Sequence, residues 1–136
     1  MNLDDIKNFM KDIPWGIFAT TDGRRVGARP MAGIIWKGMQ LWCATFDSSD
    51  KIAQLKKVPY AEYCFCDARG RHLRIAGHCT ISTSNDDKIW LYKRVPALKD
   101  YIADPVVPQY VVIKMTPDNI RFMGTTDFKY TQIEIA

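Results

Sequence analysis

The stretch Ala44-Thr45-Phe46-Asp47-Ser48-Ser49-Asp50-Lys51 brings together three hydroxyls, a turn and a lysine close to where a new segment begins. Such a set suits an anion. At a helix start the first backbone N–H groups are unpaired, the positive end of the dipole lies there, and hydroxyls with an ammonium add charge-assisted donors. A lysine in the first turn is otherwise mildly unfavourable, since the dipole prefers acids. On these local features an ordinary capped surface helix with Lys51 solvated is the simpler explanation. Arg29-Pro30-Met31 shifts that balance. Its strand is expected to lie beside the one ending at Thr45, so the Arg29 fork would reach the same phosphate. Pro30 removes a backbone donor, which suits a strand edge and leaves neighbouring main-chain groups free for a ligand.

The elements that must position these residues follow from pattern. Asn2, with Asp5 three residues on, caps a helix whose apolar stripe is Leu3, Ile6, Phe9 and Met10, and Pro14 ends it. Trp15–Thr21 reads as a strand, Asp22-Gly23 as a turn and Val26–Ile35 as the second strand of a hairpin. After Lys37-Gly38, Met39–Thr45 forms a third strand; Ser48 or Ser49 then caps a short helix over Lys51–Lys56 that stops before Pro59. Tyr60–Asp67 and His72–Thr83 are strands joined by Arg69-Gly70, the second with Gly77 where a bulge would fit. Ser84 and Asp87 open a helix carrying Ile89, Trp90 and Leu91, which Pro96 interrupts; Tyr110–Met115 and Asn119–Met123 complete the sheet. About seven antiparallel strands and three short helices make a mainly β chain, and a closed or split barrel is the economical way to hide its edges. Residues 1–136 read as one domain, without repeat or linker.

Composition narrows the function classes. A net charge of +4 is compatible with an anionic ligand, but the bases are scattered, and neither a nucleic acid nor a membrane is expected as partner. The one dense group, Arg69-Gly70-Arg71-His72 with Arg74, reads first as a solvated turn entering a strand and second as part of an anion site. No run approaches the roughly 18 apolar residues of a membrane helix, and the acidic start Met1-Asn2-Leu3-Asp4-Asp5 is unlike an export signal, so a cytoplasmic location is expected. Cys43, Cys64, Cys66 and Cys79 all lie in apolar runs, as buried reduced thiols do. Cys64 and Cys66 would share a strand face, but a zinc site needs two more ligands at tight spacing, which Cys43 and Cys79 do not supply.

Taken in order, Ala19-Thr20-Thr21-Asp22-Gly23, Arg29-Pro30-Met31, Trp42-Cys43-Ala44-Thr45, Ser49-Asp50-Lys51-Ile52-Ala53-Gln54-Leu55, Pro59 and Arg74-Ile75-Ala76-Gly77 resemble the FMN-binding split barrels related to pyridoxamine 5'-phosphate oxidase. The resemblance runs from about Ile13 to Met123 and rests on order and spacing, since each piece is short. It implies a homodimer with FMN in clefts between subunits. Arg29, Pro30 and Met31 would line the flavin; Ala44 and Thr45 would sit by the ribityl chain or phosphate; Ser48, Ser49, Asp50 and Lys51 would form the phosphate loop, with Lys51 the ion-pairing residue. His72 and Arg74 would reach the flavin rim or the partner's site. Two departures qualify this. Asp50 stands where members often carry an arginine, which removes a cation from the phosphate site. Met123 stands where the oxidases place a tryptophan, and Phe128–Ile133 offers at most Lys129 for their basic substrate set, so the resemblance does not extend to oxidation of pyridoxamine 5'-phosphate itself.

The chemistry implied is that of an FMN-dependent oxidoreductase acting on a small molecule in the dimer cleft, where the isoalloxazine carries the redox step and no side-chain acid or base is demanded. Trp15, Trp36 or Tyr63 would shape that cleft unless they only pack the core. A flavin-binding electron carrier without a dedicated substrate fits the same residues. So does a barrel of this kind holding haem or a deazaflavin, with His72 and His78 as the only histidines for a haem iron.

Overall fold

A computed structural model describes residues 1–125 and 127–135. Eight strands form one antiparallel sheet: β1 (Gly16–Thr21), β2 (Val26–Met31), β3 (Ile35–Lys37), β4 (Gln40–Phe46), β5 (Tyr60–Cys66), β6 (His72–Ser82), β7 (Tyr110–Met123) and β8 (Tyr130–Gln132). Three helices flank it: α1 (Leu3–Met10), α2 (Asp50–Lys57) and α3 (Asn85–Arg94), the last followed by a 3-10 turn over Pro96–Asp100. The sheet runs β2-β1-β5-β6-β7-β4-β3, with β8 added on β7. Its end strands β2 and β3 do not pair with each other, so the barrel is split rather than closed.

Three departures from the sequence expectation have local causes. The single strand expected over Val26–Ile35 divides because Gly33 takes a φ of +67°, a turn after which the chain leaves β1 and pairs with β4 instead. The two strands expected on either side of Pro117 are one. The pairing register slips between Ala76 and Gly77, so Asp118 is the extra residue of a bulge and Pro117 sits beside it, at a place where a strand tolerates proline. The short β8 was not expected at all; it pairs Tyr130 with Met123 and Gln132 with Arg121.

Alternation along the strands sets the core. Phe18, Leu41, Cys43, Tyr63, Phe65, Leu73, Ile75, Val111, Ile113 and Met115 point to one face, covered by Ile6 of α1 and by Ile52 and Leu55 of α2. The opposite face of β4 and β7 is also covered, for Trp42, Tyr110 and Val112 pack under Leu91 and Val95. Both ends of this second cluster are tied: Tyr110 donates its hydroxyl to the Lys88 carbonyl at 2.8 Å, and the buried Lys88 ammonium donates to the Val107 carbonyl at 2.7 Å. Caps hold the helices where the sequence places them. Asn2 and Asp5 exchange side chain to backbone bonds of 2.8 and 2.9 Å, and the Ser84 hydroxyl accepts from the Asp87 N–H. Among the described residues no helix is long and apolar enough to cross a membrane.

The four cysteines are free. Cys43 and Cys79 are buried as expected, whereas Cys64 is half-buried and Cys66 exposed, because alternation on β5 assigns the inner face to Tyr63 and Phe65.

Candidate functional site

Two strands and a helix converge on the basic residues. In the β1–β2 hairpin Phe18 lies opposite Arg29 and Thr20 opposite Gly27. Opposed residues of an antiparallel pair project from the same face. Arg29 therefore lies on the face where Phe18 and Thr20 are buried, beside α2, while Ala28 and Pro30 are exposed on the outer one. Arg29 Nη1 donates to Thr20 Oγ1 at 2.6 Å and to the Phe18 carbonyl at 3.3 Å. Thr20, only 2% exposed, donates its own hydroxyl to Gln54 Oε1 on α2.

Lys51 precedes Gln54 by three residues on the same helix and is half-buried. Burial pushes its ammonium below the usual lysine value, and the nearby Arg29 guanidinium pushes further; Cys43 and Asp50 oppose. Burial also lowers Arg29, with Asp50 again opposing. Among the described residues neither cation forms a salt bridge. Two partly desolvated cations without a bonded acid favour whatever anion enters between them.

The surroundings add neutral donors. Ser49 is the N-cap residue of α2, yet its hydroxyl does not cap: it donates to the Phe46 carbonyl at 2.9 Å and lies 3.4 Å from Thr45 Oγ1. Among the described residues the first N–H groups of α2 thus have no side-chain acceptor. Beside them, β3 covers β4 only from Gln40 to Trp42, so from Cys43 to Phe46 the strand is paired on one side alone, by β7. That open edge and the free edge of β2, with Pro30 on it, bound the split in the sheet.

The structure thus gathers Arg29, Thr45, Ser49, Asp50 and Lys51. It does so by another route than the sequence suggested: β2 and β4 are not neighbouring strands, and Arg29 comes near Lys51 across α2. Thr20, Gly27 and Gln54 belong to the same group, a role the sequence reading did not give them. Their signals were the i, i+3 spacing of Lys51 and Gln54 and the alternation that puts Thr20 on the face of Phe18.

The remaining candidates lie elsewhere. Met31 is in the core and Ala44 packs against the cluster under α3. Ser48 lines a groove of about 370 Å³ with Phe46, Tyr101 and Val107. His72 and Arg74 form a separate cluster with Glu62, Arg121 and Tyr130. Arg74 bonds Glu62 Oε2 at 2.7 and 3.1 Å, Arg121 reaches Glu62 Oε1 at 3.4 Å, and His72 Nε2 lies 2.8 Å from the Tyr130 hydroxyl. His72 Nδ1 is 3.1 Å from the Gly70 carbonyl oxygen, so both ring nitrogens have partners, and the exposed His78 stands apart. Of the aromatics, Tyr63 is in the core 3.1 Å from Cys43 Sγ, Trp36 packs on α1 through Met10, and Trp15 is exposed beside a cavity of about 800 Å³.

Arg29 and Lys51 thus lie close together beside the open edge of a split antiparallel sheet. A sequence profile described as pyridoxamine 5'-phosphate oxidase matches residues 3–124, and the chain belongs to that family. Comparison with curated protein sequences gives no match. Among solved structures, a NimC/NimA family protein from Clostridium acetobutylicum is similar with a TM-score of 0.83 at 16% identity, covering 96% of this chain and 90% of that one. A pyridoxamine 5'-phosphate oxidase-related, FMN-binding protein from Nostoc punctiforme gives 0.69 at 17% identity, over 96% of this chain and 87% of that one. A structure named F420 reductase gives 0.66 at 19% identity, over 84% and 94%. These likenesses bear on the fold.

Proposed function

We propose that the protein binds FMN and is an FMN-dependent oxidoreductase acting on a small molecule, as a homodimer in the cytoplasm. The observation that carries this reading is the pair Arg29 and Lys51, partly desolvated, without a bonded acid among the described residues and flanked by Thr45, Ser49 and the start of α2. That donor set fits a phosphate dianion: a guanidinium fork, an ammonium, hydroxyls and free N–H groups. Family membership and the likeness to the FMN-binding protein support a flavin as the ligand. Arg29 and Lys51 would hold the phosphate, and the open edge of β4 from Cys43 to Phe46 would accompany the ribityl chain. The flavin ring, when bound, supplies the hydride or electron transfer. Asp50 at the start of α2 lowers the net charge of the site, which moderates affinity.

What supports a dimer is the outer face of the β1–β2 hairpin, where Ile17, Val26, Ala28 and Pro30 are exposed side by side. An apolar face of this kind is what a second copy would cover. Pyridoxamine 5'-phosphate itself is not the proposed substrate, because Phe128–Ile133 contributes Tyr130 to the His72–Arg74 cluster rather than a basic set of its own. A deazaflavin is the second reading, supported by the likeness to the F420 reductase. The absorbance spectrum of freshly purified protein tests both: flavin maxima are expected, and a deazaflavin spectrum or a haem Soret band would displace FMN. Anaerobic NADH or NADPH should then bleach the flavin; persistence of the yellow form would favour a carrier.

A further inference from the structure

We propose that Gln54 is the positioning residue of the anion site, orienting Arg29 through Thr20 while leaving its charge for the phosphate of the ligand. The inference rests on the flavin-phosphate reading above. It starts from a three-residue relay: Gln54 Oε1 accepts from the Thr20 hydroxyl, and Thr20 Oγ1 accepts from Arg29 Nη1 at 2.6 Å. Thr20 is 2% exposed, so its single hydroxyl proton and its lone pairs are committed within the protein.

A second observation concerns the space around the relay. A Cβ at Gly27 would collide with Arg29 Nη2 and stand 3.0 Å from Gln54 Oε1. Gly27 has no positive φ among the glycines that do, so its backbone needs no glycine; the absent side chain makes room for the guanidinium and the amide. The strand opposite Thr20 is thus cut away where Arg29 and Gln54 meet.

The chemistry of the terminal acceptor decides what the relay does. A carboxylate at 54 would also accept from Thr20, but it would add an anion beside Arg29 and compete with a bound phosphate for the guanidinium. An amide accepts the same hydrogen bond without charge. Because Gln54 and Lys51 share one helix, the relay also fixes the strand bearing Arg29 against the helix bearing Lys51, and so sets the spacing of the two cations. The outcome is selection for a phosphorylated flavin over one that ends in a hydroxyl.

The test is a fluorescence titration of apoprotein with FMN and with riboflavin, for the unaltered chain, Gln54→Glu, Gln54→Met and the pair Thr20→Ser and Thr20→Val. Gln54→Glu should weaken FMN by at least about tenfold, as expected when a charge-assisted contact is neutralised, while riboflavin stays within about twofold. Gln54→Met and Thr20→Val should weaken FMN less, again sparing riboflavin, and Thr20→Ser should retain the unaltered affinity. Equal losses for both flavins would mean a merely structural role and would overturn the proposal, as would unchanged FMN affinity in Gln54→Glu. Protection against thermal unfolding by inorganic phosphate provides an arm independent of flavin. It should be present in the unaltered chain and reduced in Gln54→Glu; equal protection overturns the relay. Failure of the unaltered chain to bind FMN overturns the flavin reading instead.

Discussion

Lys51 carries the sharpest residue-scale consequence of the site. Truncation to alanine should cost about 1.5–3 kcal/mol of FMN affinity, the worth of a hydrogen bond to a charged group, read by titration of apoprotein. Its protonation gives that contact a pH dependence. Burial and Arg29 hold the Lys51 ammonium below the model-peptide value of 10.5. A bound phosphate favours the charged form, so affinity is full at neutral pH and falls as pH rises through the lowered value, earlier than an ordinary lysine would require. Lys51→Arg should extend the plateau to higher pH, since a guanidinium stays charged there. In the unliganded protein the sign reverses. The unfolded chain binds the proton more tightly, so between the lowered value and 10.5 stability rises with pH. A midpoint at or above 10.5 for Lys51 in the unliganded protein would contradict its desolvation beside Arg29.

Elements place these residues, and the long β6–β7 pair is their frame. Gly77 faces the Thr116 carbonyl at the bulge, and an added Cβ would collide with that carbonyl oxygen and stand 2.7 Å from its carbon. Backbone cannot give way as a side-chain tip can. Gly77→Ala should therefore lose about 1–3 kcal/mol of stability, visible as a lower Tm; an unchanged Tm would show that the bulge relaxes. This glycine was legible in the sequence, as were the three helices with the Asn2 and Ser84 caps, because periodicity and capping are local signals. The division of the second strand at Gly33 and the continuity of β7 through Pro117 were not. Both depend on a partner strand far away in sequence, and propensity does not see partners. The site divides in the same way. Lys51, Ser49 and Thr45 stood out as a local cluster, but Thr20 and Gln54 matter only once α2 is laid across the β1–β2 hairpin. His72 and Arg74, read from a dense basic run, turn out to be engaged with Glu62 and Tyr130, neither of which adjoins them in sequence.

At the scale of the whole molecule, the outer face of β1 and β2 is the surface to probe. Ile17 is 43% exposed between Pro30 and Cys64 on the neighbouring strands, so a carboxylate there is tolerated in a single chain but not against an apolar partner. Ile17→Asp should give a folded monomer by sedimentation, with FMN affinity reduced if the flavin lies between subunits. A variant that stays dimeric would move the interface elsewhere. The sheet that exposes this face also opens the split beside it, since β2 is the end strand of the sheet and β4 is uncovered past Trp42.

The central claim is that a flavin phosphate rests on Arg29 and Lys51. A crystal structure of the protein with FMN tests it directly. The phosphate should lie within hydrogen-bonding distance of both side chains, with its ribityl chain along β4 from Cys43 to Phe46. A phosphate seated instead among His72, Arg74 and Arg121, with Arg29 and Lys51 free, would contradict the account.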